Sequence, residues 1–215
     1  MQSIAVPSRI ASAPRVWGLV GPAERSLFEV LFPSATVLHK ALAAVAFIAI
    51  IAGMAKMRFF LPENPVPIAL TGFGVMMAGG VMGWRWGLAS VTGYYLVGMA
   101  GAPVFVDGQG WQYVTGGVTG GYLIGFILQA GAVGFLVQRG WSRGRALWPM
   151  MIGTIAVYVP ALIWLSVMDL GWPAQGEMFS SAVYPFIPGD LVKLMLAAMA
   201  VGALWRYADY RNASR

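Results

Sequence analysis

Six stretches of the chain are apolar along most of their length and bounded by charges or turn residues. They run over 36–57, 67–82, 86–101, 117–137, 146–168 and 190–207. About 20 apolar residues wound as a helix cross a hydrocarbon layer of about 30 Å. The second stretch is short for this and needs lengthening at one end. The pattern predicts an all-α, polytopic membrane protein with six transmembrane helices in one bundle. Residues 1–36 break it with Arg9, Arg15, Glu24, Arg25 and Glu29 between short apolar patches. They read as a cytoplasmic tail with an interfacial amphipathic helix over about 23–32. Residues 37–208 form the membrane domain and 209–215 a second cytoplasmic tail.

Composition agrees with that class. Of 215 residues, 59% are hydrophobic and 10% charged, too few charges for a soluble domain of this size. The 28 Gly and 13 Pro suit a membrane bundle, where small residues bring backbones together and Pro shapes helix ends. With no Cys and one His, thiolate sites and multi-histidine metal sites are excluded. The net charge of +6 comes from helix ends and short loops, so it points to membrane orientation and not to nucleic acid. Lys40, Arg85, Arg139, Arg143, Arg145, Arg206, Arg211 and Arg215 fall on one side, which is therefore cytoplasmic and holds both termini. Asp107, Asp169 and Glu177 fall on the other, with a mixed loop carrying Lys56, Arg58 and Glu63. Trp84, Trp86, Trp141, Trp148, Trp205 and Tyr207 are expected in interfacial aromatic belts.

The candidate chemistry lies at the outer ends of the helices. Asp190 and Lys193 sit one turn apart on a helix begun at Gly189, where ionisable groups are costly unless paired, hydrated or functional. The pair suits a small polar ligand, or alternatively serves only to cap the sixth helix. Tyr94 and Tyr122 offer flat apolar walls with a hydroxyl, and Thr119 offers another hydroxyl. Gly120 and Gly121 allow close backbone approach at a helix N-terminus or, equally, close helix packing. Asn64 reaches the site from the first loop or is a turn residue before Pro65. Residues 56–65 are a candidate lid. No Ser/His dyad, paired intramembrane aspartates or metal-ligand cluster stands out among the spans, which argues against an intramembrane enzyme.

Four segments together resemble one family. They are Asn64-Pro65-Val66-Pro67-Ile68, then Tyr94 with Gly98-Met99-Ala100-Gly101-Ala102-Pro103, then Gly116-Gly117-Val118-Thr119-Gly120-Gly121-Tyr122, and finally Pro188-Gly189-Asp190-Leu191-Val192-Lys193. Their order and spacing resemble BioY, the biotin-binding S component of energy-coupling-factor (ECF) transporters, over about 37–208. The resemblance implies high-affinity biotin capture and uptake across the inner membrane of a prokaryote. It implies as partners a transmembrane coupling subunit (EcfT- or BioN-like) and ATPases (EcfA- or BioM-like), with no cofactor or metal in this chain. In that reading Asp190 meets the ureido N–H groups and Lys193 the ureido oxygen. Ala49 and Gly53 on the first helix would present the small surface that meets the coupling subunit. The chain departs from the family pattern at Ala69-Leu70-Thr71-Gly72, where many members carry Thr and then Gln, and at Val118, where Pro is usual. An S component for another vitamin and a solitary biotin transporter are the alternatives. No Gly-x-x-x-x-Gly-Lys-Ser/Thr phosphate loop is present, so ATP would be used only by partner subunits.

Overall fold

In the computed structural model, residues 24–214 are described apart from 107, 109 and 143. The expectations for residues 1–23, Asp107, Arg143 and Arg215 lie outside them. The elements are α1 (Leu27–Leu31), α2 (Val37–Lys56), β1 (Arg58–Phe59), β2 (Ile68–Ala69), α3 (Thr71–Met99), α4 (Gly110–Thr115), α5 (Gly120–Leu136), α6 (Leu147–Val167), α7 (Met178–Ala182) and α8 (Ile187–Ala213). A π turn, Val137–Trp141, extends α5, and a 3₁₀ turn, Tyr184–Phe186, leads into α8.

The molecule is a helical membrane bundle. Among the described residues, four segments are long and apolar enough to cross a membrane: Val37–Lys56, Gly120–Trp141, Leu147–Val167 and Met178–Ala213. The second and third expected spans are the two arms of α3. They meet at Gly83, whose φ of 76° belongs to the left-handed region that favours glycine. The arms fold back on each other: a Cβ on Gly87 would lie 2.7 Å from Gly79 Cα. In a straight helix, positions so spaced would stand about 12 Å apart. Gln138 fixes the corner by accepting from the Trp84 amide (2.9 Å) and donating to the Glu24 carbonyl (3.1 Å).

Near the described termini, α1 packs against the bundle instead of lying freely at the interface. Ser26 and Glu29 form a reciprocal capping box, and Lys40 of α2 pairs with Glu29 at 2.5 Å. Arg211 of α8 donates to the carbonyls of Val30 and Leu31. Leu27 is fully buried in a core cluster with Val137, Met150, Val201 and Trp205. Trp205, expected in an aromatic belt, is therefore a core residue, whereas Trp84, Trp148 and Tyr207 are exposed as a belt requires. At the opposite end, β1 and β2 form a short antiparallel hairpin, Arg58 opposite Ala69. Helix α4 and the loop before it cover the second arm of α3 there. Phe105 is buried under this cover, edge-on to Tyr94 and stacked on Tyr113. Lys56 holds the loop by donating to the Phe105 carbonyl at 2.6 Å.

Candidate functional site

Between α3, α5, α6 and α8, at the end away from α1, lies a cavity of about 80 Å³. This is room for several waters or part of a small organic molecule. Its walls are mostly apolar, from Val66, Met76, Leu123, Phe126, Val157 and Phe186, with Val106 and Tyr113 supplied by the covering loop and α4.

One charged group of side chains reaches it. Asp190 sits in the first turn of α8, which starts at Ile187 and not at Gly189 because the 3₁₀ turn feeds into it and Pro188 is accepted in a first turn. Asp190 Oδ1 pairs with Lys193 Nζ at 2.6 Å, one turn on, and the side chains are 19% and 11% exposed. Tyr158 of α6 donates to Asp190 Oδ2 at 2.5 Å. Lys193 also donates to the Ala69 carbonyl at 3.2 Å, which ties α8 to the hairpin. A carboxylate offers about four acceptor sites, so two partners leave Asp190 capacity for a ligand N–H.

A second polar group lies on the facing helices. Gln129, about two and a half turns into α5, is 2% exposed. Thr71 opens α3 and is equally buried. Both line the cavity, and neither Gln129 Oε1 nor Thr71 Oγ1 has a hydrogen-bond partner among the described residues. An unmet buried polar atom costs about 1–3 kcal/mol, so the site is built to be completed by a ligand or by water.

Of the residues expected from sequence, Asp190, Lys193, Tyr94, Tyr122 and Thr119 are brought together around this cavity. Thr119 precedes α5 and makes no side-chain capping bond. The tyrosine hydroxyls face structural acceptors, Tyr94 to the Val104 carbonyl (3.2 Å) and Tyr122 to the Ala182 carbonyl (2.6 Å). Gly120, Gly121 and Asn64 lie outside the lining. A Cβ on Gly120 would meet the Val114 carbonyl and the Trp164 ring, and one on Gly121 would meet Trp164 and Ala161, so both serve the contact of α5 with its neighbours. Asn64 ties its loop to α7, donating to the Ser181 carbonyl (3.0 Å), and braces the loop itself by accepting from the Val66 amide (2.9 Å). The expected lid over 56–65 contributes no lining residue; Val106 and Tyr113 line the cavity there instead. Sequence reading passed over Tyr158, Gln129 and Thr71. The available signal was a polar side chain inside an apolar span, which in a membrane is seldom idle.

Fold and site together define a multi-pass membrane protein built round a small-ligand cavity. Residues 27–210 match the BioY family. The biotin transporter BioY of Lactococcus lactis subsp. cremoris is 33% identical over 153 residues, covering 68% of this chain and 79% of that protein. The biotin transporter BioY of Rhodobacter capsulatus is 31% identical over 179 residues, covering 76% and 93%. The crystal structure of the S-component for biotin from an ECF-type ABC transporter superposes with a TM-score of 0.68 at 28% identity, covering 80% of this chain and 95% of that one. The chain belongs to the BioY family, and its relatives are named as transporters, not enzymes.

Proposed function

We propose that this cavity captures biotin, and that the chain is the substrate-binding S component of an ECF transporter in a prokaryotic cytoplasmic membrane. In this reading the termini face the cytoplasm and the cavity faces outward, in keeping with the placement of Lys and Arg. A separate transmembrane coupling subunit and ATPases supply the energy.

The observation that carries the proposal is the meeting of Tyr158, Asp190 and Lys193 with the unmet Gln129 Oε1 and Thr71 Oγ1 around one cavity. Biotin presents a ureido ring with two N–H donors and one acceptor, an apolar thiophane and a carboxylate. The spare acceptor capacity of Asp190 suits a ureido N–H, Lys193 suits the ureido oxygen, and the aromatic walls suit the thiophane.

Titration calorimetry of ligand-stripped protein tests this. One-to-one binding at micromolar affinity or tighter, about −8 kcal/mol, is expected for biotin. Riboflavin and thiamine should not compete. Folded protein that ignores biotin would end the assignment, and binding of another vitamin would redirect it.

A further inference from the structure

At the end of the bundle opposite the cavity, α6 and α8 part to leave an open groove of about 490 Å³. We propose that this groove holds one glycerophospholipid, with its phosphate at the first turn of α6 and an acyl chain along α8. The wall changes chemistry along its length. Met195, Met199 and Gly202 follow one another at helical spacing as an apolar trough, and Arg206 stands at its end. Across from them lie Ser142 and the start of α6 at Leu147.

Three features at the polar end ask for an anion. Helix α6 has Ala146 as its cap and no side-chain capping bond. The Trp148 N–H is taken by the Arg145 carbonyl (3.1 Å) and Pro149 has none, so what the first turn offers the groove is the positive end of a 21-residue helix dipole. Ser142 is 2% exposed, lines the groove and has a hydroxyl without a partner among the described residues. Arg206 brings a guanidinium, whose paired N–H groups match phosphate oxygens. Arg145, next to a lining residue and exposed, adds a second cation. Asp209 also lines the groove, but it has an interaction of its own.

Depth identifies the source of the phosphate. Trp148, Tyr207 and Tyr210 adjoin lining residues in the chain and are more than half exposed, as amphipathic rings are at headgroup level. A soluble phosphate would use only the polar end and leave the trough bare, whereas a phospholipid fills both.

The test is native mass spectrometry of the full chain, stripped of lipid and resupplied with palmitoyl-oleoyl phosphatidylglycerol. One retained lipid per chain is expected, and millimolar inorganic phosphate should not displace it. Arg206→Ala combined with Ser142→Ala should weaken retention about tenfold or more, and Arg206→Lys should restore part of it. Gly202→Leu tests the trough with every polar group in place, because a Cβ there meets only Ala146 at 3.7 Å. It should also lose lipid. Circular dichroism separates loss of the site from loss of the fold. Equal retention in all folded variants overturns the proposal. Displacement by phosphate overturns it too, and marks a soluble-anion site instead.

Discussion

Asp190 and Lys193 form the kind of ion pair that does little for stability. Withdrawing each ion from water costs several kcal/mol before their attraction returns any of it. That expense makes sense where the pair is held ready for a ligand, with Tyr158 fixing one carboxylate oxygen and Ala69 the ammonium. Asp190→Asn keeps the shape and removes the charge. Biotin should then bind about ten- to over a hundredfold more weakly in calorimetry, the loss of one charge-assisted hydrogen bond of roughly 1.5–3 kcal/mol. An unchanged dissociation constant would move the ureido contact elsewhere. Gln129 allows a sharper separation of roles, because its Oε1 has no partner among the described residues. In Gln129→Leu the empty protein should unfold at the same or a higher temperature, since an unmet acceptor is gone, while biotin affinity drops by roughly fivefold or more. A glutamine kept for structure would show the opposite, a lower unfolding temperature with affinity intact.

At the scale of helices, what the sequence reveals is where the chain crosses, and less clearly where it turns or stops. Apolar runs located α2, α5 and α6 to within a few residues, because hydropathy alone drives those segments into lipid. The same signal ends α8 at Tyr207, yet the helix continues to Ala213 through Asp209 and Arg211, which a window tuned to lipid cannot follow. Trp205 is expected in the belt beside Tyr207, but residues distant in sequence, Leu27 of α1, Val137 and Met150 among them, share its core cluster and bury it. The ambiguity of Gly121 has the same origin. A glycine at a helix start serves a ligand or a neighbouring helix, and the deciding atoms belong to Trp164 and Ala161 of α6. A Cβ at Gly121 would come within 2.4 Å of Trp164 Cβ and 2.8 Å of Ala161 Cα. Gly121→Ala should therefore force α5 and α6 apart, costing about 1–3 kcal/mol and lowering the unfolding temperature. A loss of biotin affinity without loss of stability would return Gly121 to the ligand.

For the whole molecule, the question is which surfaces are finished and which await another body. The end bearing α1 is finished by a clamp in which Glu29 meets Ser26 and Lys40 while Arg211 holds the carbonyls of α1. Burial pushes the Glu29 carboxyl up, but hydrogen bonds from Lys40 and Ser26 and the charge of Lys40 outweigh it and hold it below the ordinary glutamate value. A carboxylate depressed in the folded state stabilises docking above that ordinary range, and the contribution is lost as pH falls through the depressed value. Amide exchange over 27–31, corrected for its intrinsic pH dependence, should therefore accelerate on acidification, and Glu29→Gln should flatten the response. Helix α2 is the reverse case. Only 11% of its apolar window is buried, Ala49 is exposed, and a Cβ at Gly53 would meet nothing within 4 Å. Lipid can cover such a face, but small residues on it also let another helix approach closely. A bulky side chain distinguishes the two, since it is harmless against fluid lipid and ruinous at a tight helix contact. Gly53→Trp has open space in the isolated chain, so biotin titration should give the wild-type dissociation constant. Co-purification with the proposed coupling subunit and ATPases should fall away. Intact assembly would leave this face to lipid, and lost biotin binding would show that Gly53 supports the bundle from within.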